Sequence, residues 1–465
     1  MIVLARLLSP REIGVYAVGL AVTGMLQAIS AFGVGTYVIR EQALTDEMMD
    51  TAFTVNMVVS LLLALTIAGT SMVPAITGGE PAVGEVLRTL AFAPLIGIVE
   101  FRPATMLQRA MQFRLISLVT VARTLGNSAV TIAAALLGAS SLSAAYGGIA
   151  YALIGAIGFW AVAPHHTAFR LSTAGARAMA AFGVQTLSIG GVSVLTARLS
   201  DVLLGRLLGL TALGFYSRAS ALSNVLFQNV YGSIARVLLA KLAEDRRAGT
   251  SLRGGYLVAL ENVAAIMWPA LAGLAVLAAP VVALLFGERW LPAAAPLSIL
   301  MFVQLLSLTF PLHHELYVLN DRIGDQTRRE VIRSLIGLAA FAYGCRYGLV
   351  GAAAGRLVDS LAGMALFVPA LSRLSGASAG ELARAYVRNA VLTLVAAAPP
   401  GMLMMARSWR HDLPWTEVAG AIVLGVLCWA GGLRLTGHPL WTEIARFWPC
   451  TDVRSVGAVR RHRAP

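Results

Sequence analysis

The chain has 465 residues, of which 58% are hydrophobic and only 13% charged, with a mean hydropathy of +0.75. Soluble domains carry roughly 25% charged and about 45–50% apolar residues, so an ordinary soluble domain is excluded, and disorder with it. The formal charge of +13 comes almost wholly from arginine, Lys241 being the sole lysine; without a basic face interleaved with aromatics it excludes nucleic acid as the partner and marks instead the cytoplasmic loops of a polytopic membrane protein.

Taken in chain order, apolar stretches between polar breaks fall near 12–39, 49–73, 84–106, 114–138, 142–163, 181–204, 212–237, 255–284, 293–319, 330–346, 348–371, 385–406 and 414–436. A transmembrane helix needs about 20 mostly apolar residues, so these read as thirteen spans. No connection between them is long enough for a soluble domain. The opening MIVLAR is too short to cross a bilayer and lacks the pattern of a signal peptide. Cys345, Cys428 and Cys450 lie far apart and give neither a zinc spacing nor a disulfide framework. Counting Lys and Arg over alternate loops gives about 23 on one side and about 8 on the other. The richer set includes the 238–254 loop and the C-terminal segment, which places both in the cytoplasm.

An internal duplication is legible. ARLLSPREIGVY at 5–16 aligns without a gap with GRLLGLTALGFY at 205–216, matching Arg6, Leu7, Leu8, Gly14 and Tyr16 to Arg206, Leu207, Leu208, Gly214 and Tyr216. A weaker echo sets Leu87, Leu90 and Phe92 against Leu297, Leu300 and Phe302. Two related bundles of about six helices follow. In the second copy a whole span, 181–204, precedes Gly205, whereas four residues precede Ala5. The expectation is therefore that a first helix belongs in front of Met1, missing through a start assigned too late or through a truncated gene.

Ionisable groups within spans cost roughly 2.5–3.5 kcal/mol unless they face protein or water. Arg102, Arg123, Arg198, Arg218 and Arg356 fall inside spans, with Glu100, Asp201, Glu261, Glu315 and Asp359 at similar depth. Arg198 and Asp201 are i,i+3, as are Arg356 and Asp359, so each pair shares a helix face. Polar stripes run along three spans: Gln185, Ser188, Thr196 and Ser200; Ser217, Ser220, Asn224, Gln228 and Tyr231; Tyr16, Thr23, Gln27 and Ser30. Such stripes are either hydrogen-bonding glue between helices or the wall of a watery cavity. Their place on helices flanking the repeat junction favours the cavity, with Arg123 and Asn127 as a fourth wall. Arginine suits phosphate, since its planar fork binds oxygens bidentately and stays charged. Candidate substrate-binding residues are thus Arg218, Arg198, Arg123, Asp201, Asn224, Gln228 and Gln185.

Other chemistry is weakly signalled. The adjacent pairs His165–His166 and His313–His314 point about 100° apart on a helix and make no i,i+4 metal site; both read as loop or interface residues. There is no P-loop, nucleophile elbow or dinucleotide fingerprint, so no cofactor or metal is expected. Trp441, Arg446, Phe447 and Trp448 read as an interfacial helix, followed by a basic tail, VRRHRAP.

The segments ARLLSPREIGVYAV at 5–18, MLQRAMQFR at 106–114, DVLLGRLLGLTALGFYSRA at 201–219 and LFGERWLPAAAPLSIL at 285–300 resemble the polysaccharide (Wzx-like) flippase family of the multidrug/oligosaccharidyl-lipid/polysaccharide exporter superfamily. The resemblance implies an all-α integral membrane fold of two six-helix lobes around a central cavity, plus two C-terminal helices. On this chain the N-lobe would cover 1–164, a cytoplasmic linker 165–180, the C-lobe 181–372, two additional helices 373–436, and an interfacial segment with a basic cytoplasmic tail 437–465. The implied function is translocation of a polyprenyl-diphosphate-linked oligosaccharide across the bacterial inner membrane by alternating access. The implied partners are that lipid-linked substrate, the bilayer and the polysaccharide polymerase machinery. The alternatives are a cation-coupled multidrug exporter of the same fold and a membrane polysaccharide polymerase. A positively lined cavity favours the first reading, an unpaired cavity acid the second, and a large catalytic loop the third.

Overall fold

A computed structural model describes residues 2–30, 34–164 and 170–442, with the side chains at 28–30, 75, 178, 180–193, 226, 228, 229, 236, 237 and 240 outside the description. The expectations for His165, His166, Arg446, Phe447, Trp448 and the basic tail, and for the side chains of Gln185, Ser188, Gln228 and Ser30, lie outside the described residues.

The described chain is helical throughout: α1 Ile2–Leu7, α2 Pro10–Ser30, α3 Val34–Arg40, α4 Asp46–Thr70, α5 Pro74–Thr77, α6 Pro81–Leu90, α7 Phe92–Arg109, α8 Phe113–Leu136, α9 Leu142–Val162, α10 Ala176–Leu208, α11 Leu210–Leu226, α12 Gly232–Arg247, α13 Leu252–Val276, α14 Ala278–Phe286, α15 Ala294–Ser307, α16 His313–Leu319, α17 Ile323–Gly344, α18 Gly348–Ser375, α19 Ala379–Ala406 and α20 Trp415–Leu435. Among the described residues nine stretches are long and apolar enough to cross a membrane. One of them, Ile323–Ser375, holds both α17 and α18. Helix ends follow local signals. Thr45 caps α4 by accepting from the Met48 amide, and Ser378 with Glu381 forms a capping box on α19.

The packing repeats itself. The α8–α9 and α17–α18 hairpins are the tightest helix pairs. In the first half α2 packs on α6, and α6 on α9; in the second α11 packs on α15, and α15 on α18. Leu87 and Leu297, matched in the weaker sequence echo, are both fully buried in one shared core. The two copies meet where α2 crosses α11. A Cβ on Gly14 would stand 1.8 Å from the Leu210 carbonyl oxygen, and a Cβ on Gly214 would stand 1.8 Å from the Pro10 carbonyl oxygen. Gly14 matches Gly214 and Pro10 matches Leu210 in the duplicated motif, so the crossing is a reciprocal contact about a pseudo-twofold axis. Small residues let backbones approach this closely inside a membrane.

Several expected spans are discontinuous. The stretch expected at 293–319 breaks between α15 and α16, because Pro311 has no amide hydrogen and Leu312 adopts φ 56°. Two tyrosines satisfy the interrupted backbone. The Leu312 amide donates to the Tyr231 hydroxyl at 2.9 Å, and the Tyr386 hydroxyl donates to the Thr309 carbonyl at 2.6 Å. His313 and His314 therefore open a helix and are not loop residues. The His313 ring packs against both Phe310 and Phe367, which stack on each other. The stretch at 212–237 contains a π-helical turn, Phe227–Tyr231. Arg328, Arg329 and Arg333 lie on α17, which begins seven residues before the expected span start at 330.

Candidate functional site

A cavity of about 530 Å³ is lined by α2, α4, α7, α8 and α9, with Leu90 of α6 and Arg198 of α10. Most of the lining comes from the interiors of long helices, with Leu90 at the end of α6 and Ala93 and Pro94 in the first turn of α7. Tyr16, Thr23 and Gln27 line it, so the α2 stripe is a cavity wall. Asn56 and Ser60 of α4 and Thr105 of α7 add further hydrogen-bonding side chains.

Its two cations are held differently. Arg123 stacks over the Tyr151 ring, with Cζ 3.7 Å from the centroid, and its Nη1 lies 3.3 Å from Glu100 Oε1. Gly155 makes this assembly possible: a Cβ there would stand 2.5 Å from Glu100 Oε2 and 3.0 Å from Arg123 Nη1. The Arg123 Nε is buried without a hydrogen-bond partner, so the guanidinium keeps unused donor capacity. Arg198 reaches across Gly24 of α2, where a Cβ would stand 2.7 Å from its Nε. Its contact with Asp201 is long, 3.7 Å, and its side chain is 40% exposed. Arg198 is therefore the more available cation, and Asp201 is an anchor behind it; Asp201 is absent from the cavity lining.

Arg218 differs from its expected setting. It is buried among α11 neighbours, with its Cζ 6.0 Å from the Trp290 ring, and makes no hydrogen bond or ion pair among the described residues. It is not part of the cavity lining; its electrostatic neighbour Tyr16 is. Asn224 accepts a long hydrogen bond from Gln304 Nε2 at 3.5 Å, a link between α11 and α15. Asn127 faces α9 at Gly147, where a Cβ would stand 2.5 Å from its Oδ1, so it packs helices and is absent from this cavity's lining.

Sequence reasoning missed Tyr151, Asn56, Ser60 and Thr105. Asn56 and Ser60, i,i+4 within an apolar span, carried a usable signal. Tyr151 carried none, since an aromatic in a membrane helix is ordinary. The Arg356–Asp359 pair is also not merely local. Asp359 sits 3.1 Å from Arg333 of α17 and 3.9 Å from Arg356, so it ties two helices together.

Among the described residues, helices long and apolar enough to span a membrane, gathered around an arginine-bearing polar cavity, define a polytopic membrane protein. The chain belongs to the polysaccharide biosynthesis protein family, whose model matches residues 3–295. It is similar to the lipopolysaccharide biosynthesis protein WzxC of Escherichia coli (strain K12), 23% identical over 363 residues that cover 77% of this chain and 73% of the relative. It is 24% identical to the teichuronic acid biosynthesis protein TuaB of Bacillus subtilis (strain 168), across 61% of this chain and 59% of that protein. It is also 24% identical to the succinoglycan biosynthesis transport protein ExoT of Rhizobium meliloti (strain 1021), across 64% of this chain and 60% of that protein. The chain thus spans about three fifths of two of these relatives. Among solved structures, the lipid II flippase MurJ in an inward closed conformation superposes with a TM-score of 0.73 at 12% identity, covering 96% of both chains. An inward-facing multidrug resistance MATE family transporter of the MOP superfamily superposes with a TM-score of 0.65 at 15% identity, covering 81% of this chain and 93% of that one. These likenesses establish the fold. The protein is thus a helical membrane protein of the polysaccharide biosynthesis family.

Proposed function

We propose that the protein moves a polyprenyl-diphosphate-linked oligosaccharide across the bacterial inner membrane by alternating access between two lobes, 1–164 and 181–372, with 165–180 as linker. The observation that carries this reading is the meeting of Arg123 and Arg198, one from each half, at one cavity rich in uncharged hydrogen-bonding groups. A diphosphate takes bidentate hydrogen bonds from arginine, and Thr23, Gln27, Asn56 and Ser60 suit sugar hydroxyls. Arg218, behind Tyr16, adds a fixed positive field, and Asp201 orients Arg198. Glu100 is the one carboxylate in the lining and is paired with Arg123, so the cavity offers a cationic drug no unpaired acid. A separate apolar cavity of about 420 Å³, edged by Pro269, Leu277, Pro400 and Trp429, suits an isoprenoid chain.

Charge-assisted hydrogen bonds of this kind are worth about 1–3 kcal/mol. Arg198→Ala is therefore expected to weaken substrate binding by roughly 5- to 150-fold, and Arg198→Lys to recover only part, because an ammonium lacks the fork. The assay is flipping of lipid-linked oligosaccharide in proteoliposomes at matched protein abundance. Wild-type flipping by the Arg198→Ala protein overturns the anionic-substrate reading.

The arginine bias orients the molecule with the α12–α13 loop and the C-terminus in the cytoplasm. Single cysteines beside Arg246 are expected to react with impermeant reagent only after permeabilisation, and those beside Arg289 in intact cells. The reverse pattern inverts the orientation.

A further inference from the structure

The pseudo-twofold relation breaks at one corner. Where the end of α1 meets the turn after α14, the space is plugged. Trp290 is fully buried there, and its Nε1 donates to the Ala5 carbonyl at 2.7 Å. Arg289 donates to the Ala5 and Arg6 carbonyls, and Arg6 donates to the carbonyls of Leu284 and Leu285. Each arginine thus caps the carboxyl end of the other's helix.

In the related corner the end of α10 meets the turn after α5. Gly205 stands in place of Ala5, and Arg206 in place of Arg6. The turn is Gly78–Gly79–Glu80, with both glycines left-handed at φ 69° and 75°. No aromatic side chain enters, and a cavity of about 390 Å³ remains, lined by Arg11, Thr77, Glu80, Arg206 and Thr211 among others. Unlike Arg6, Arg206 makes no hydrogen bond or ion pair among the described residues. Arg11 pairs with Glu80 at 2.8 Å, yet its side chain is 63% exposed. Two guanidiniums face one carboxylate, so the corner carries a net positive charge, with Arg206 as its free donor.

We propose that this corner is a second binding site, for a phosphate-bearing anion, distinct from the central cavity. The scaffold needs no opening here, since its pseudo-symmetric mate is filled by Trp290 without loss of the fold. What the opening adds is an uncommitted arginine fork, whose geometry matches phosphate oxygens. The site lies at the end of the α2–α11 crossing opposite the α12–α13 loop. The phosphate comes either from a lipid headgroup at the membrane surface or from free diphosphate. The proposal rests on the transport reading only for which side of the membrane this face occupies.

The test uses the full chain carrying Arg198→Gln, which removes the more available of the two central arginines. Inorganic pyrophosphate is titrated calorimetrically in detergent, and phosphatidylglycerol retention is read by native mass spectrometry from mixed phosphatidylglycerol–phosphatidylcholine nanodiscs. Binding of one probe is expected to persist in Arg198→Gln and to weaken about tenfold when Arg206→Gln is added, the loss of one charge-assisted contact. It is expected to vanish with Thr211→Trp, which rebuilds the plug from an exposed position. Pyrophosphate binding identifies the free-anion source, and phosphatidylglycerol retention the headgroup source. If neither probe binds, or if binding is indifferent to Arg206→Gln in protein that melts normally, the site does not exist. Failure of the transport reading looks different: flipping then survives Arg198→Gln, whatever happens at Arg206.

Discussion

Gly214→Ala and Gly14→Ala are each expected to lower stability, although alanine in a helix ordinarily gains about 1 kcal/mol over glycine. The added methyl would stand 1.8 Å from a backbone carbonyl oxygen on the facing helix, against an ordinary C···O separation of about 3.3–3.6 Å. A carbonyl fixed in a helix cannot swing away as a side-chain tip can, so α2 and α11 must part. Forced overpacking costs about 1–3 kcal/mol and sometimes more, enough to reverse the propensity gain. Gly214→Leu is expected to leave almost no folded protein. The pseudo-twofold crossing adds a sharper expectation. Once the helices have separated for the first methyl, the second fits at little further cost. The double variant should be less destabilised than the sum of the singles, by about 1 kcal/mol, within the range measured for contacting residues. Thermal unfolding in detergent of the four proteins closes the cycle. Strict additivity would mean that the two contacts relax independently and do not form one crossing.

The matched glycines were legible because duplication writes the same constraint twice, but nothing in the repeat showed that the two would cross each other. Arg123 and Arg198 were legible for another reason: a guanidinium within an apolar span must find water, protein or substrate, and both found the cavity. The direction of Arg218 was not legible from its neighbours. Successive residues on a helix point about 100° apart, so adjacency to Ser217 in sequence put Arg218 off the Ser217–Asn224 stripe. Helix rotation, set by packing against α2 and the turn at Trp290, decided that it points inward. Asn224 lay on the stripe, but the stripe on α11 bonds α15, while that on α2 lines the cavity; both choices satisfy the same polar pattern. The break at 308–312 had Pro311 as its signal. What no local pattern could show is that Tyr231 and Tyr386, distant in sequence, would supply the missing hydrogen bonds.

Asp359→Ala is expected to cost about 3–5 kcal/mol, the range for removing one partner of a buried ion pair. Asp359 is buried and sits over Gly337, where a Cβ would stand 2.5 Å from its Oδ1. It lies 3.1 Å from Arg333 and 3.9 Å from Arg356, and Arg333 is also paired with Glu330. The cluster therefore sets two guanidiniums against two carboxylates across α17 and α18. Removing Asp359 leaves Arg333 with Glu330 and deprives Arg356 of its contact on α18. Removing Arg356 should cost less, about 1 kcal/mol, since its contact is the longer one and Asp359 keeps Arg333. Asp359→Asn separates charge from shape, because the amide still fills the space over Gly337. It should retain most of the destabilisation if charge balance is what matters. Adding Arg356→Gln to Asp359→Asn removes the stranded cation and should restore about 1–2 kcal/mol, since apolar or neutral replacement of a whole buried pair is often tolerated. The readout is the melting temperature of the four proteins in the same detergent. Wild-type melting by Asp359→Asn would show that shape, not charge, holds α17 to α18, and the i,i+3 arginine would then be an incidental neighbour.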